Sequence, residues 1–103
     1  MNYIYEPHRI YVNNEEGKKI VNATFPWLKQ GVVVVDHTFV DPSLRGQGIA
    51  SQLMFEVVKY AKIQGYKVTA TCPYAVVWFK KHPEETSILD ELEQAKLAPE
   101  CQI

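Results

Sequence analysis

A single α/β domain, built on a mixed sheet with one helical crossover, is the fold this sequence predicts. Three observations carry it. Residues 8–40 are dominated by alternating and valine-rich runs, the spacing turns helical at Gly48, and a short strand followed by a second helix completes the pattern.

Segments 8–13 and 19–28 predict strands joined by Asn14-Glu15-Glu16-Gly17, a turn composition. In the second, Val21, Ala23, Phe25 and Trp27 alternate with Asn22, Thr24 and Pro26, the period of a half-buried strand. Pro26 predicts an edge or a bulge, because proline cannot donate to a ladder. Lys29-Gln30-Gly31 then turns the chain into 32–40, whose four consecutive valines are apolar on both faces and predict a central strand.

From Gly48 to about Ile63, the residues Ala50, Leu53, Met54, Val57, Val58 and Ala61 fall on one face of a helix, with Gln52, Glu56, Lys59 and Lys62 opposite. Gly65 suits the position just past its end. Val68–Cys72 predicts a short strand, and Pro73 opens a second helix through about Lys81, where a missing N–H costs nothing. Pro83 stops it. In the tail, Ser87-x-x-Asp90 has the spacing of a capping box and predicts a short helix around Leu92 and Ala95. The first three strands pair antiparallel through hairpins. The fourth returns parallel to the third over a right-handed crossover.

The 103 residues suffice for one domain and one core. A hydrophobic share of 47% and a charged share of 22% are those of a soluble globular protein. No apolar run approaches the ~18 residues of a membrane span, and no signal-peptide pattern opens the chain, so a cytoplasmic location is expected. Cys72 and Cys101 form no CxxC pair and no spaced cluster with His8, His37 or His82, which argues against a metal site and a structural disulfide. The net charge of −1 divides unevenly: residues 1–83 hold ten basic against six acidic residues, residues 84–103 one against six. The expected organisation is therefore a body of residues 1–83 and an acidic tail, 84–103. A basic body is compatible with an anionic ligand, and the acidic tail with solubility alone. Neither is basic enough for nucleic acid.

Between the valine strand and the first helix lies Val40-Asp41-Pro42-Ser43-Leu44-Arg45-Gly46-Gln47-Gly48-Ile49-Ala50-Ser51. This is the carboxyl end of a central strand and the amino end of a crossover helix, where α/β sheets bind ligands. Gly46 and Gly48 let an anion approach the backbone, and Arg45 offers a charge-assisted contact. A Walker A loop would need a lysine that Gly48-Ile49-Ala50 lacks. A Rossmann fingerprint wants an acidic residue ~20 positions on, where Tyr66 and Lys67 stand.

Arg45-Gly46-Gln47-Gly48-Ile49-Ala50 instead resembles the Arg/Gln-x-x-Gly-x-Gly/Ala loop of the GNAT superfamily of acetyl-CoA-dependent N-acetyltransferases. The preceding Val-x-Pro-x-x-Arg and the following Leu53 and Ala61 also look like its central motif. The resemblance implies that the amides of roughly Gln47 to Ser51 hold the pyrophosphate of coenzyme A. It also implies that the main chain at Thr38, Phe39 and Val40 pairs with the pantetheine arm. His37-Thr38, Cys72-Pro73-Tyr74 and Phe79-x-x-His82-Pro83 further resemble a branch of very short GNAT-like proteins. The likeness covers roughly residues 8–84. Absent are the two helices that usually follow the first strand and the strands after the second helix, which normally wall the acceptor-amine site. The implied fold is thus a truncated one.

Two side chains are candidates for chemistry. Cys72 closes a strand beside the cofactor end and precedes a helix, whose N-terminus stabilises a thiolate. General acid, general base and acetyl-accepting nucleophile are all open to it, as is a role as a small buried residue. His37, in a row with Val35 and Phe39, is a catalytic candidate or a hydrogen-bonded core residue. Trp78 and Phe79 read as core or cofactor wall, and Lys80, Lys81 and His82 as companions of a helix C-terminus. The expected activity is acetyl transfer from acetyl-CoA to an amine, with neither nucleic acid nor membrane as partner. The alternative is a coenzyme A-binding module without transferase activity.

Overall fold

Two interruptions, at Phe25-Pro26 and at Asp36, set the architecture. In the computed structural model, which describes residues 1–97, they cut both long predicted strands in two. The strands are β1 (Ile4–Glu6), β2 (Arg9–Asn13), β3 (Lys19–Thr24), β4 (Trp27–Lys29), β5 (Val32–Val35), β6 (His37–Val40) and β7 (Lys67–Ala70). The helices are α1 (Ile49–Gln64), α2 (Pro73–Lys81) and α3 (Glu91–Ala95), with 3-10 turns at Pro42–Leu44 and Pro83–Ile88. One sheet has the order β1-β2-β3-β6, antiparallel throughout. The other has the order β4-β5-β7, in which β5 and β7 are parallel. The predicted mixed α/β arrangement holds, with β1 added at the edge and pinned to α1 by Tyr5, whose hydroxyl donates to Glu56.

The hairpin stays hydrogen-bonded through its kink. The Val34 N–H donates to the Pro26 carbonyl (2.9 Å) and the Asp36 N–H to the Thr24 carbonyl (3.3 Å). Asp36 pairs with no strand, so the inward parity changes across it. Val33 and Val35 face the main core from β5, whereas Thr38 and Val40 lie opposite Ala23 and Val21 on β6. His37 and Phe39 consequently turn outward. The expected row of Val35, His37 and Phe39 on one face is broken here, because a residue left out of a ladder exchanges the two faces of a strand.

The register fixes where the sheet opens. Val35 pairs with Ala70 as the last residues of the parallel ladder, and beyond them β6 follows β3 and leaves β7 behind. The predicted strand through Cys72 accordingly stops at Ala70. The amides of Thr71 and Cys72 both donate to the Val35 carbonyl (3.0 Å each) and hold the chain at the mouth of the gap.

Leu53, Met54, Val57, Val58 and Ala61 of α1 pack into the core with Phe25, Ile10, Val21 and Val33. The helix stops at Gly65, whose φ of 78° costs a side-chain-bearing residue strain; Tyr66 N–H then reaches back to the Ala61 carbonyl at 2.8 Å. Trp27, expected inward, is 48% exposed at the sheet's rim, edge-on to His8 and Tyr66. Among the described residues no helix is long and apolar enough to cross a membrane.

The described part of the tail, residues 84–97, folds back on the body. Ile88 is buried in the main core, Leu89 bridges to Val68, and the Asp90 N–H donates to the Val68 carbonyl at 3.0 Å. The predicted short helix is present, but its cap is one turn later than the Ser87 spacing suggested: the Asp90 side chain accepts from Glu93 N–H at 3.0 Å. Cys101 lies outside the described residues.

Candidate functional site

The gap between β6 and β7 opens onto the N-terminus of α1. A cleft of about 320 Å³ there is lined by Thr38 to Val40, Leu44 to Gly46, Gly48 to Ser51, and Tyr74. The positions expected to hold the cofactor all border it except Gln47, which lies between two lining glycines; Cys72 stands beside it rather than in its lining. His37 is not at the cleft: it is exposed on the opposite face of β6 from Thr38, in register with Thr24.

The loop's conformation follows from its residues. The Asp41 carboxylate accepts from Ser43 N–H (3.0 Å) and from the Ser43 hydroxyl (2.9 Å), folding Pro42–Leu44 into a 3-10 turn. Gly46 and Gly48 take φ of 82° and 72°, the left-handed region, and a Cβ at either would meet only open space. Glycine is needed there for backbone conformation and for the empty volume in front of it. Gly48 is the N-cap of α1 and has no side chain to cap with, so the first-turn N–H groups at Ile49, Ala50 and Ser51 have no intrahelical partner. Together with the helix dipole they form a receptor for an anion. The first turn is tied to α2 by Trp78, whose indole N–H donates to Ser51 Oγ at 2.9 Å.

β6 supplies a second recognition element. Asp41 N–H donates to the Ile20 carbonyl, and the antiparallel alternation from there turns the N–H and C=O of Thr38 and Val40 away from β3, toward the gap. Among the described residues this strand edge is unpaired, ready to bond an extended amide-containing chain.

Cys72 stands at the N-cap of α2, 8% exposed, a free thiol. Its Sγ is 3.3 Å from Thr38 Oγ1, so the two side chains meet across the mouth of the gap. Tyr74 forms part of the cleft wall, and its phenol is pushed above the usual tyrosine range by partial burial and then by Cys72. Leu44 and Tyr74 also line the site; the sequence places Tyr74 in the Cys72-Pro73-Tyr74 motif but gives it no assigned role. The signal for Tyr74 is its place in the first turn after Pro73, at the carboxyl end of β7. Among the described residues, no three His, Cys, Asp or Glu side chains converge to hold a metal ion.

Bonds from the Ser43 N–H and then its hydroxyl hold the Asp41 carboxyl below the usual carboxylate range, with Lys18 at 3.6 Å adding to them. A depressed carboxyl stabilises the folded turn above its unfolded titration range and loses that contribution as pH falls through the depressed value. Asp41→Ala should therefore speed amide exchange at Ser43 and Leu44 several-fold at neutral pH. The difference from the parent should shrink once the pH drops below the carboxylate range. Exchange monitored by NMR checks both, and unchanged rates at neutral pH would show that the turn holds without Asp41.

Known proteins share this fold. The profile of the GCN5-related N-acetyltransferase family matches residues 9–88. The solution NMR structure of a GCN5-like protein from Staphylococcus aureus is similar, with a TM-score of 0.72 and 23% identity over 85% of this chain and 86% of that one. An acetyltransferase from Bacillus cereus is 33% identical over 58% of this chain and 43% of its own, with a TM-score of 0.51. Tetrahymena GCN5 is 20% identical over 74% of this chain and 51% of its own, with a TM-score of 0.58. The chain thus spans most of the S. aureus protein and about half of the other two. No curated protein matches the sequence.

Proposed function

Because the chain belongs to the GCN5-related N-acetyltransferase family, we propose that it moves the acetyl group of acetyl-CoA to an amine acceptor. The observation that carries this reading is the uncapped start of α1, behind two left-handed glycines, at the point where β6 leaves β7. The residues present fit the ligand. The amides of Ile49, Ala50 and Ser51 suit a pyrophosphate, with Gln47 beside them and Arg45 adding charge. The free edge at Thr38 and Val40, on either side of Phe39, suits the amides of a pantetheine arm. Bound there, acetyl-CoA supplies an activated acetyl thioester.

The chain's own side chains hold and move protons at the mouth. Cys72 Sγ, with the Thr38 hydroxyl as partner, is the group we assign to acid–base work. Tyr74, raised above the usual tyrosine range, keeps its phenolic proton at neutral pH and is a donor on the cleft wall. His37 faces away and has no part in this scheme. The acceptor we propose is a primary amine brought from outside, such as a lysine side chain or a polyamine, because a short turn joins β2 to β3 and leaves no helix there to wall the acceptor.

Screening amine libraries and peptide pools for release of the coenzyme A thiol tests the proposal. Release that depends on an amine is the expected result. Tight binding of acetyl-CoA with no release to any amine would leave a coenzyme A-binding module, and activity confined to a compact hydroxyl substrate would remove the amine.

A further inference from the structure

The outer edge of β7 is closed in an unusual way. Its Ala70 N–H donates to the Gln94 side-chain oxygen (2.7 Å), and the Ala70 carbonyl accepts from the Gln94 side-chain nitrogen (2.9 Å). One carboxamide thus makes both bonds that a peptide group of a neighbouring strand would make. The element that carries Gln94, α3, is five residues long and contributes no buried residue, with Leu92 79% exposed. A helix this short has little stability of its own. Beneath it, β7 is buried from Val68 to Ala70. Between α3 and α2 lies a groove of about 440 Å³, lined mainly by apolar residues including Ala70, Val76, Phe79 and Leu89. Residues 90–95 span this space without filling it. Among the described residues, what holds them past Leu89 is polar: the Gln94 pair, the Asp90 N–H on Val68, and Glu93 on Lys29 at 2.8 Å.

We propose that β7 is a docking edge for an extended acidic polypeptide segment of a partner protein, and that residues 90–95 are a displaceable strap occupying it. The edge offers backbone bonding, as an exposed strand does when a peptide adds to a sheet. The apolar groove takes alternate side chains of the guest. Charge selects the kind of guest. The strap lays Glu93 on Lys29, the adjoining Ser87 carbonyl accepts from the Lys67 ammonium at 3.2 Å, and Lys80 borders the groove. When the strap leaves, Lys29 loses its partner while Lys67 and Lys80 stay beside the edge, and acidic residues of the newcomer complement them. Local opening of a weakly packed terminal segment is the cheapest motion available to such a fold. The proposal concerns binding at β7 and stands whether or not acetyl transfer occurs.

The test uses the full chain and a fluorescein-labelled peptide of alternating valine and glutamate, with an alternating valine–lysine peptide as control. Gln94→Ala removes both bonds to Ala70 and should bind the acidic peptide roughly tenfold or more tightly than the parent. NMR shifts on binding should centre on the amides of Val68 and Ala70. If Gln94→Ala does not fold, Asp90→Ala, which removes the cap of α3, takes its place with an expected gain of roughly fivefold. Equal affinity of variant and parent would overturn the proposal, as would equal binding of the lysine peptide or shifts centred away from β7. Dimerisation of the variant without peptide would assign the edge to a second copy of the chain and overturn it as well.

Discussion

Gly48→Glu should weaken acetyl-CoA binding roughly 100-fold or more while the protein remains folded. Gly48 sits at φ 72° with open space before it, at the N-cap of α1. A glutamate there adds strain of about 1–2 kcal/mol for the left-handed conformation. More importantly, it puts a carboxylate at the positive end of the helix, competing with the pyrophosphate for the same amides and repelling it. Two like charges about 4 Å apart near a protein surface repel by up to about 4 kcal/mol, so a loss of affinity of roughly 100-fold or more is expected. Gly48→Ala separates the two contributions, since it carries the strain without the charge. It should lose stability by a similar amount and affinity by much less. Calorimetry with circular dichroism on both variants is the measurement. Undiminished affinity in folded Gly48→Glu would remove the phosphate site from the α1 N-terminus, and with it the proposed function.

Cys72→Ala should slow acetyl transfer by roughly 10²–10⁴-fold with acetyl-CoA affinity unchanged, if Cys72 does acid–base work. The expectation rests on its place at the α2 N-cap, 3.3 Å from Thr38 at the mouth of the gap. If Cys72 is a nucleophile instead, intact-mass measurement with acetyl-CoA alone should show one added acetyl group that Cys72→Ala abolishes. Acid–base work is the reading we favour, because the family resemblance implies direct transfer to the amine. Alkylation of Cys72 should also slow when coenzyme A fills the cleft. Tyr74→Phe is the companion variant, since the phenol borders the same cleft. A large loss there with near-normal turnover in Cys72→Ala would move the proton work to Tyr74. Wild-type turnover and unprotected alkylation would return Cys72 to a packing role.

Local patterns in the sequence determine most of the fold. The periodicity of Ala50 to Ala61 specifies α1, Gly65 and Pro73 its end and the start of α2, and the valine run a central strand. The glycine loop is legible because its chemistry is local: Gly46 and Gly48 are needed where the backbone itself turns left-handed. Those signals depend on residues a few positions apart, and neighbours in sequence determine them. Relations between distant segments are decided only in the tertiary structure. Nothing in Val32 to Val40 announces that Asp36 falls out of the ladder, because the break is enforced by bonds to Thr24 and Pro26 on other segments of the chain. That one break turns His37 out of the row, frees the edge at Thr38 and Val40, and opens the gap that Cys72 borders. The tail obeys the same rule. Its acidic composition describes a solvated segment, yet Ile88 is buried and Gln94 closes β7, since an unpaired strand edge takes whatever amide the chain can bring to it.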